Sequence, residues 1–266
     1  MPFTPSHIAA ALPFARTPLI PAALVIGTLQ PDLFFYLPVG VNREFTHSWF
    51  AVFTFDLAVS LVVFALWQLV FRAPVLDFAP HWVRTRMPHR GSRPGRGGRA
   101  GFALLLVASI LIGCVTHVIW DSFTHDSAFV RSAPLLFDQF GPLRLYTWLQ
   151  HASSLLGLVA LALFVQSWRR RTPLGQPAPT RLTARSRTIA WIVVPAGGLA
   201  VAIAIWISGV LSGRSPLDNT LVYVTVVVGI AVAGLLAIIA TLLWHRRPVA
   251  DYSDRITATT LPRISA

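Results

Sequence analysis

The sequence predicts an all-α integral membrane protein with five transmembrane helices and short, re-entrant N-terminal helices ahead of them. Composition is the first ground. Of 266 residues, 55% are hydrophobic and 12% are charged, and mean hydropathy is +0.63. An average globular chain carries about 25% charged residues, so a soluble domain of this length would lack the polar surface to cover itself. A soluble enzyme, a disordered chain and a disulfide scaffold are thereby excluded. Segment length is the second ground: five apolar stretches approach or exceed the ~20 residues that a helix needs to cross the hydrocarbon core. The third is charge. All 22 basic residues are Arg against ten acids, a net charge of +12, and on a membrane chain such an excess marks cytoplasmic loops and anionic lipid.

The five stretches cover 49–71, 101–120, 148–168, 189–211 and 220–244. Backbone groups in lipid must be satisfied within the segment, which makes them helices. Trp49, Trp120, Trp148, Trp168 and Trp244 stand at their ends, as an interfacial aromatic belt requires. Residues 17–41 are also apolar, but Pro18, Pro21, Pro31, Pro38 and Asp32 interrupt them. A proline inside a helix removes a hydrogen bond and bends it, so two short helices are expected there; a sixth full span is the alternative. No basic segment precedes the first apolar run, which argues against a signal peptide.

Arginine is concentrated in 72–100, 169–188 and the segment after 244, and is sparse in 121–147 and 212–219. The positive-inside bias places the first three in the cytoplasm. The expected organisation is a motif-bearing membrane domain over 1–168 with a cytoplasmic Gly/Arg linker at 72–100, a two-helix hairpin over 189–244 and a cytoplasmic tail over 245–266. The Gly/Arg composition of the linker suits a solvated loop. The expected partners are the bilayer itself and anionic lipids meeting the Arg-rich loops; no nucleic-acid partner is expected. The single Cys114 reads as a packed core thiol.

Chemistry-bearing residues gather at one level. The second span ends in GCVTHVIWDSFTHD, where His117, Asp121 and His125 follow one another at i, i+4 and share a helical face. His47 precedes the first span, His151 opens the third, and Asp32 and His7 lie in the N-terminal segment. The arginine pattern sends all of these to the extracytoplasmic side. Ionisable groups at membrane depth are costly and mark function. A nitrogen and oxygen donor set without thiolates suits zinc, with manganese or iron as alternatives, and one or more divalent ions are expected. A hydrogen-bond network that locks the helices together is the competing reading. Asp56, inside the first span, has Arg131, Arg144 or a neighbouring helix as candidate partners. His81, His89 and His245 read as solvated.

MPFTPSH, ALVIGTLQPD, THSW, THVIWDSFTH and LQHASS together resemble a bacterial membrane-protein family, domain-of-unknown-function family 4184. The chain is more distantly similar to the membrane-bound metal-dependent hydrolases, and through them to the zinc-dependent phospholipase C group. The resemblance covers about residues 1–168. It implies a metal site on His7, Asp32, His47, His117 and Asp121, with His125 and His151 as further candidates.

Three functions follow as expectations. The first is a metal-dependent hydrolase of phosphoester or ester bonds in lipid-like substrates at the outer face, with Asp32 and Asp121 as catalytic carboxylates. Glu44, the one glutamate, is a candidate base. The second is a scaffold or envelope role with a structural His/Asp cluster. The third is a transporter, disfavoured because the ionisable groups sit at helix ends rather than at mid-membrane.

Overall fold

A computed structural model describes residues 4–37, 39–87, 98–176 and 180–248. The parts of the linker at 88–97, with His89, and of the tail at 249–266 lie outside the described residues. The architecture is all-α. Among the described residues, five helices are long and apolar enough to cross a membrane: α3 (Trp49–Phe78), α5 (Gly98–Thr124), α8 (Leu145–Arg171), α9 (Ala184–Leu211) and α10 (Asn219–His245). Shorter elements connect or precede them: α1 (Pro21–Leu29), α2 (Arg43–Thr46), α4 (His81–Arg84), α6 (Ala128–Ser132) and α7 (Pro134–Phe137). A two-residue hairpin, β1 (Gln139–Phe140) with β2 (Leu143–Arg144), leads into α8. The first long helix runs past residue 71, and α4 adds a further turn, so 72–84 is largely helical.

Contacts divide the chain into two compact units, 1–69 with 90–172 and 70–89 with 173–266. In the first unit, the proline-interrupted N-terminus forms a 3₁₀ segment (Thr4–Phe14), α1 and a second 3₁₀ segment (Gln30–Tyr36). Pro21 opens α1, where its missing N–H costs nothing. The helix is then laid directly on α5. A Cβ on Gly27 would strike the Ile110 carbonyl, and one on Gly113 would come within 2.8 Å of the Gly27 Cα. Two glycines thus allow backbone-to-backbone approach, the small-residue packing common between membrane helices. The Ile20 amide donates to Ser109 Oγ at 2.9 Å, fixing the entry to α1. Around this contact Ile20, Ala23, Val52, Phe64, Ile110, Cys114 and Val118 form the buried core.

In the second unit, Gly198 of α9 meets α10 so closely that a Cβ there would lie 2.5 Å from the Gly229 carbonyl. Thr183 caps α9 by accepting from the Ser186 amide, and Asp218 caps α10 by accepting from the Leu221 amide. Asp77, near the end of α3, is 5% exposed. Its carboxylate accepts from Thr180 Oγ, from Arg187 Nη2 at 3.1 Å, from the Arg181 amide at 2.8 Å and from Trp244 Nε1 at 2.8 Å. One carboxylate therefore gathers three segments of this unit. Large apolar side chains such as Leu199, Leu211 and Leu235 are left exposed on these helices, the surface a lipid-facing helix presents.

Candidate metal centre

The site is assembled in the first unit from four pieces of chain. α5 supplies His117 and Asp121 from one face, as their spacing predicts. The 3₁₀ segment after α1 supplies Asp32. Asn42 caps α2 by accepting from the Phe45 amide, and Ser48 caps α3 by accepting from the Ala51 amide. Between those two caps, the C-terminal turn of α2 holds His47. His7 enters from the first 3₁₀ segment.

Asp32, His47, His117 and Asp121 each turn one donor atom inward, and the four atoms lie within 4.8 Å of one another. Asp121 Oδ2 is 3.1 Å from His47 Nε2 and 3.5 Å from His117 Nε2. Asp32 Oδ1 is 3.6 and 3.5 Å from the same two nitrogens. The imidazole nitrogens face each other at 3.2 Å. Asp32, His117 and Asp121 are buried, and His47 is nearly so.

The outer bonds orient these donors. His117 Nδ1 lies 2.8 Å from the Thr28 carbonyl, and His47 Nδ1 lies 3.1 Å from the Arg43 carbonyl. A carbonyl can only accept, so both Nδ1 atoms carry hydrogen. Each ring therefore presents Nε2 to the cluster, the arrangement that outer hydrogen bonds give to metal-ligating histidines. Two such nitrogens at 3.2 Å, flanked by two carboxylates, need a cation between them, a proton or a metal. Two ligands held ~2.0–2.1 Å from a tetrahedral ion lie roughly 3.3 Å apart, so the donor set fits a zinc-sized ion. Asp32 Oδ2 is fixed by Thr4 Oγ1 at 2.8 Å, which leaves Oδ1 for the cluster.

Asp121 is two-sided. Its Oδ1 lies 3.3 Å from His7 Nε2 and 3.3 Å from His125 Nδ1, yet among the described residues neither this oxygen nor either nitrogen of the buried His7 has a hydrogen-bond partner. His7 stacks on His117, with ring centroids 4.1 Å apart. Burial, with the charge of Arg43, keeps the His47 ring below the ordinary histidine pKa, against the pull of its bond to Asp121. Burial also pushes His125 down to about 4. Burial would raise the Asp32 carboxyl, but the hydrogen bond and charge of His117 hold it below the usual carboxylate range.

The structure thus brings His7, Asp32, His47, His117, Asp121 and His125 together. It does not add His151, which is exposed and makes no hydrogen bond or ion pair with the cluster among the described residues. The reason is helical phase. Gln150 and Gly157 are the buried residues of α8, and Ser153 accepts from Trp120 Nε1 at 3.1 Å, so His151, 100° on from Gln150, turns away. Glu44 is exposed on α2 and also stands apart. Asp56 is fully buried, neither oxygen makes a hydrogen bond among the described residues, and Gln30 is the polar side chain that acts on it. Arg131 pairs instead with Asp126 at 2.7 Å, and Arg144 lies over the Phe137 ring at 3.7 Å. Cys114 is buried in the core, as expected.

Sequence reasoning missed Arg43. Its Nη2 donates to Asp121 Oδ2 at 2.6 Å while its side chain stays 34% exposed. Its place four residues before His47 could have flagged it, since i, i+4 residues share a helical face.

An all-helical, membrane-type protein with a buried His/Asp cluster able to hold a metal ion is what the fold and the site define. The chain belongs to the family described as Domain of unknown function (DUF4184), whose profile matches residues 1–245 and so extends through both C-terminal spans. Neither the curated proteins nor the solved structures gave a match.

Proposed function

We propose that the protein is a membrane-embedded, zinc-dependent hydrolase of phosphoester or ester bonds in lipid-like substrates, with its site at the extracytoplasmic face. The observation that carries this reading is the convergence of Asp32, His47, His117 and Asp121 on one buried point. When bound there, a divalent ion lowers the pKa of water toward about 7 and supplies a nucleophile at neutral pH. Asp32 and Asp121 hold the ion together with the two imidazoles. Asp121 Oδ1, which no hydrogen bond occupies, accepts the proton of the attacking water. Arg43, partly exposed beside Asp121, faces developing negative charge on the substrate. An apolar groove of about 290 Å³, lined by Trp120, Phe123, Leu149 and Leu156, runs beside the same end of α5 and suits an acyl chain.

A second reading has its own observation. A single proton shared between His47 Nε2 and His117 Nε2 would also satisfy the 3.2 Å contact and make the cluster a structural clasp. Elemental analysis of the full chain in detergent decides between them. Stoichiometric zinc, lost in His117→Ala, supports the metal; a metal-free wild type with unchanged stability on added zinc refutes it. Turnover of bis-p-nitrophenyl phosphate or a p-nitrophenyl ester by the zinc-loaded protein then separates hydrolase from scaffold. For sidedness, Ser132→Cys should react with an impermeant thiol reagent in intact cells and Leu174→Cys should not, both in a Cys114→Ala background.

A further inference from the structure

The buried face of α3 reads Val52, Asp56, Ser60 and Phe64, one residue every four, so two polar side chains stand in the middle of an apolar stripe. Asp56 lies about 10 Å along the helix from Trp49. Asp56 and Ser60 are 0% exposed, and Gln30, from the 3₁₀ segment after α1, is 2% exposed. Gln30 acts on Asp56, and Cys114 of α5 has Asp56 and Ser60 among its neighbours. Among the described residues, both Asp56 oxygens, Ser60 Oγ and Gln30 Nε2 make no hydrogen bond. The turn that delivers the carboxylate, Val52–Asp56, is a π-helix, an irregularity that recurs at functional sites.

These atoms select their occupant. Asp56 has no ion pair among the described residues. Arg131 and Arg144 are committed elsewhere. The His117 ring, whose charge reaches Asp56, directs Nδ1 to the Thr28 carbonyl and Nε2 to the metal centre. An uncompensated carboxylate in an apolar bundle is costly. Water would fill the lone pairs and leave the charge. A proton would remove the charge but supply one hydrogen to a group of acceptors. A cation answers both needs. It draws to one point Asp56 Oδ1 and Oδ2, Ser60 Oγ and, after a half-turn of the amide whose Nε2 is unbonded, Gln30 Oε1. All of these are hard oxygen donors, which suit alkali and alkaline-earth ions better than zinc. One carboxylate balances one positive charge, whereas a divalent ion would leave a charge buried without a partner. The packed walls of Val52, Phe64 and Cys114 favour the smaller sodium ion over potassium.

We propose that Asp56, Ser60 and Gln30 form a binding site for one sodium ion inside the first unit, with α3 supplying two of the residues and the segment after α1 the third. The site uses none of the four donors of the metal centre, and the proposal does not rest on the hydrolase reading. Thermal unfolding of the full chain in detergent tests it, in sodium, potassium or choline chloride at equal ionic strength and fixed pH, on zinc-loaded and on chelator-treated protein. Sodium is expected to raise the melting temperature saturably in both samples, by about 5 °C or more at a hundredfold excess over its dissociation constant. Potassium and choline should not match it at the same concentration. Asp56→Asn keeps the shape of the side chain and should lose the effect. Ser60→Ala should raise the sodium midpoint about tenfold, the loss of one ligand. Equal melting in the three salts overturns the proposal, as does sodium stabilisation that persists in Asp56→Asn. An effect confined to chelator-treated protein overturns it too, by assigning the ion to the His/Asp cluster. A melting temperature that responds to pH and not to sodium overturns it in favour of a proton on Asp56. Circular dichroism reports folding; if Asp56→Asn is unfolded, Ser60→Ala decides, and an unmoved sodium midpoint there overturns the proposal.

Discussion

Asp77 and Asp121 are both carboxylates buried in apolar helices, but the groups around them differ in kind. Asp77 is met by donors: a hydroxyl, a backbone amide, an indole N–H and a guanidinium cover both oxygens. Asp121 also has a guanidinium, Arg43 on Oδ2 at 2.6 Å, but its other neighbours are imidazole nitrogens, with a second carboxylate, Asp32, in the same cluster. Among the described residues, its Oδ1 has no hydrogen-bond partner. A buried charge whose lone pairs are filled holds structure together. A buried carboxylate with a guanidinium on one oxygen and only imidazole nitrogens facing the other keeps room for a further cation. Burial alone does not separate a clamp from a binding site; the count of hydrogens available to the carboxylate does.

The strongest break in this comparison is a crossed pair of substitutions. Asp121→Ala should lower zinc affinity by more than about a hundredfold, above the range for outer hydrogen-bond partners, as measured by competition with a chelator. Asp77→Ala should leave zinc content unchanged yet destabilise the protein by about 3 kcal/mol, because Arg187 keeps its charge without its partner; thermal unfolding in detergent measures it. Zinc loss in Asp77→Ala, or its retention in Asp121→Ala, would erase the distinction. Gly113→Leu comes next. The added side chain forces α1 off α5, costing about 1–3 kcal/mol as overpacking does. It should also weaken zinc binding, since α1 carries the Thr28 carbonyl that orients His117 and leads into Asp32. Thr4→Val removes only the hydroxyl that fixes Asp32 and should lower zinc affinity about tenfold with little change in melting temperature. His151→Ala is expected to change neither zinc content nor stability; a drop in either would restore His151 to the site.

Much of the cluster was legible because its pattern is local. His117, Asp121 and His125 share a face by spacing alone, and positive-inside counting groups His47 with them independently. Asp32 was legible through Pro31, which marks a break in the apolar run. Arg43 was not, because the arginine count treats each guanidinium as a topology signal and cannot tell a solvated one from one bonded to Asp121. His151 misled for the opposite reason. It lies at the expected depth of a span, but depth does not fix rotation, and α8 turns Gln150 inward. Of the candidates for Asp56, the two arginines are committed elsewhere by the fold, and the neighbouring segment that carries Gln30 is the one that acts on it.

The sequence by itself determined the five long apolar helices and the helix ends at which histidines and aspartates stand. Those follow from hydropathy, residue spacing and arginine asymmetry, each a sum over neighbours in the chain. The tertiary structure alone decided which donors converge. Convergence depends on the rotation of each helix and on how closely backbones approach. Here Gly27 against Gly113 sets α1 on α5 and so brings Asp32 to His117. The inward turn of Asp121, and the filling of Asp77 by residues more than a hundred positions away, are likewise properties of packing that no local pattern encodes.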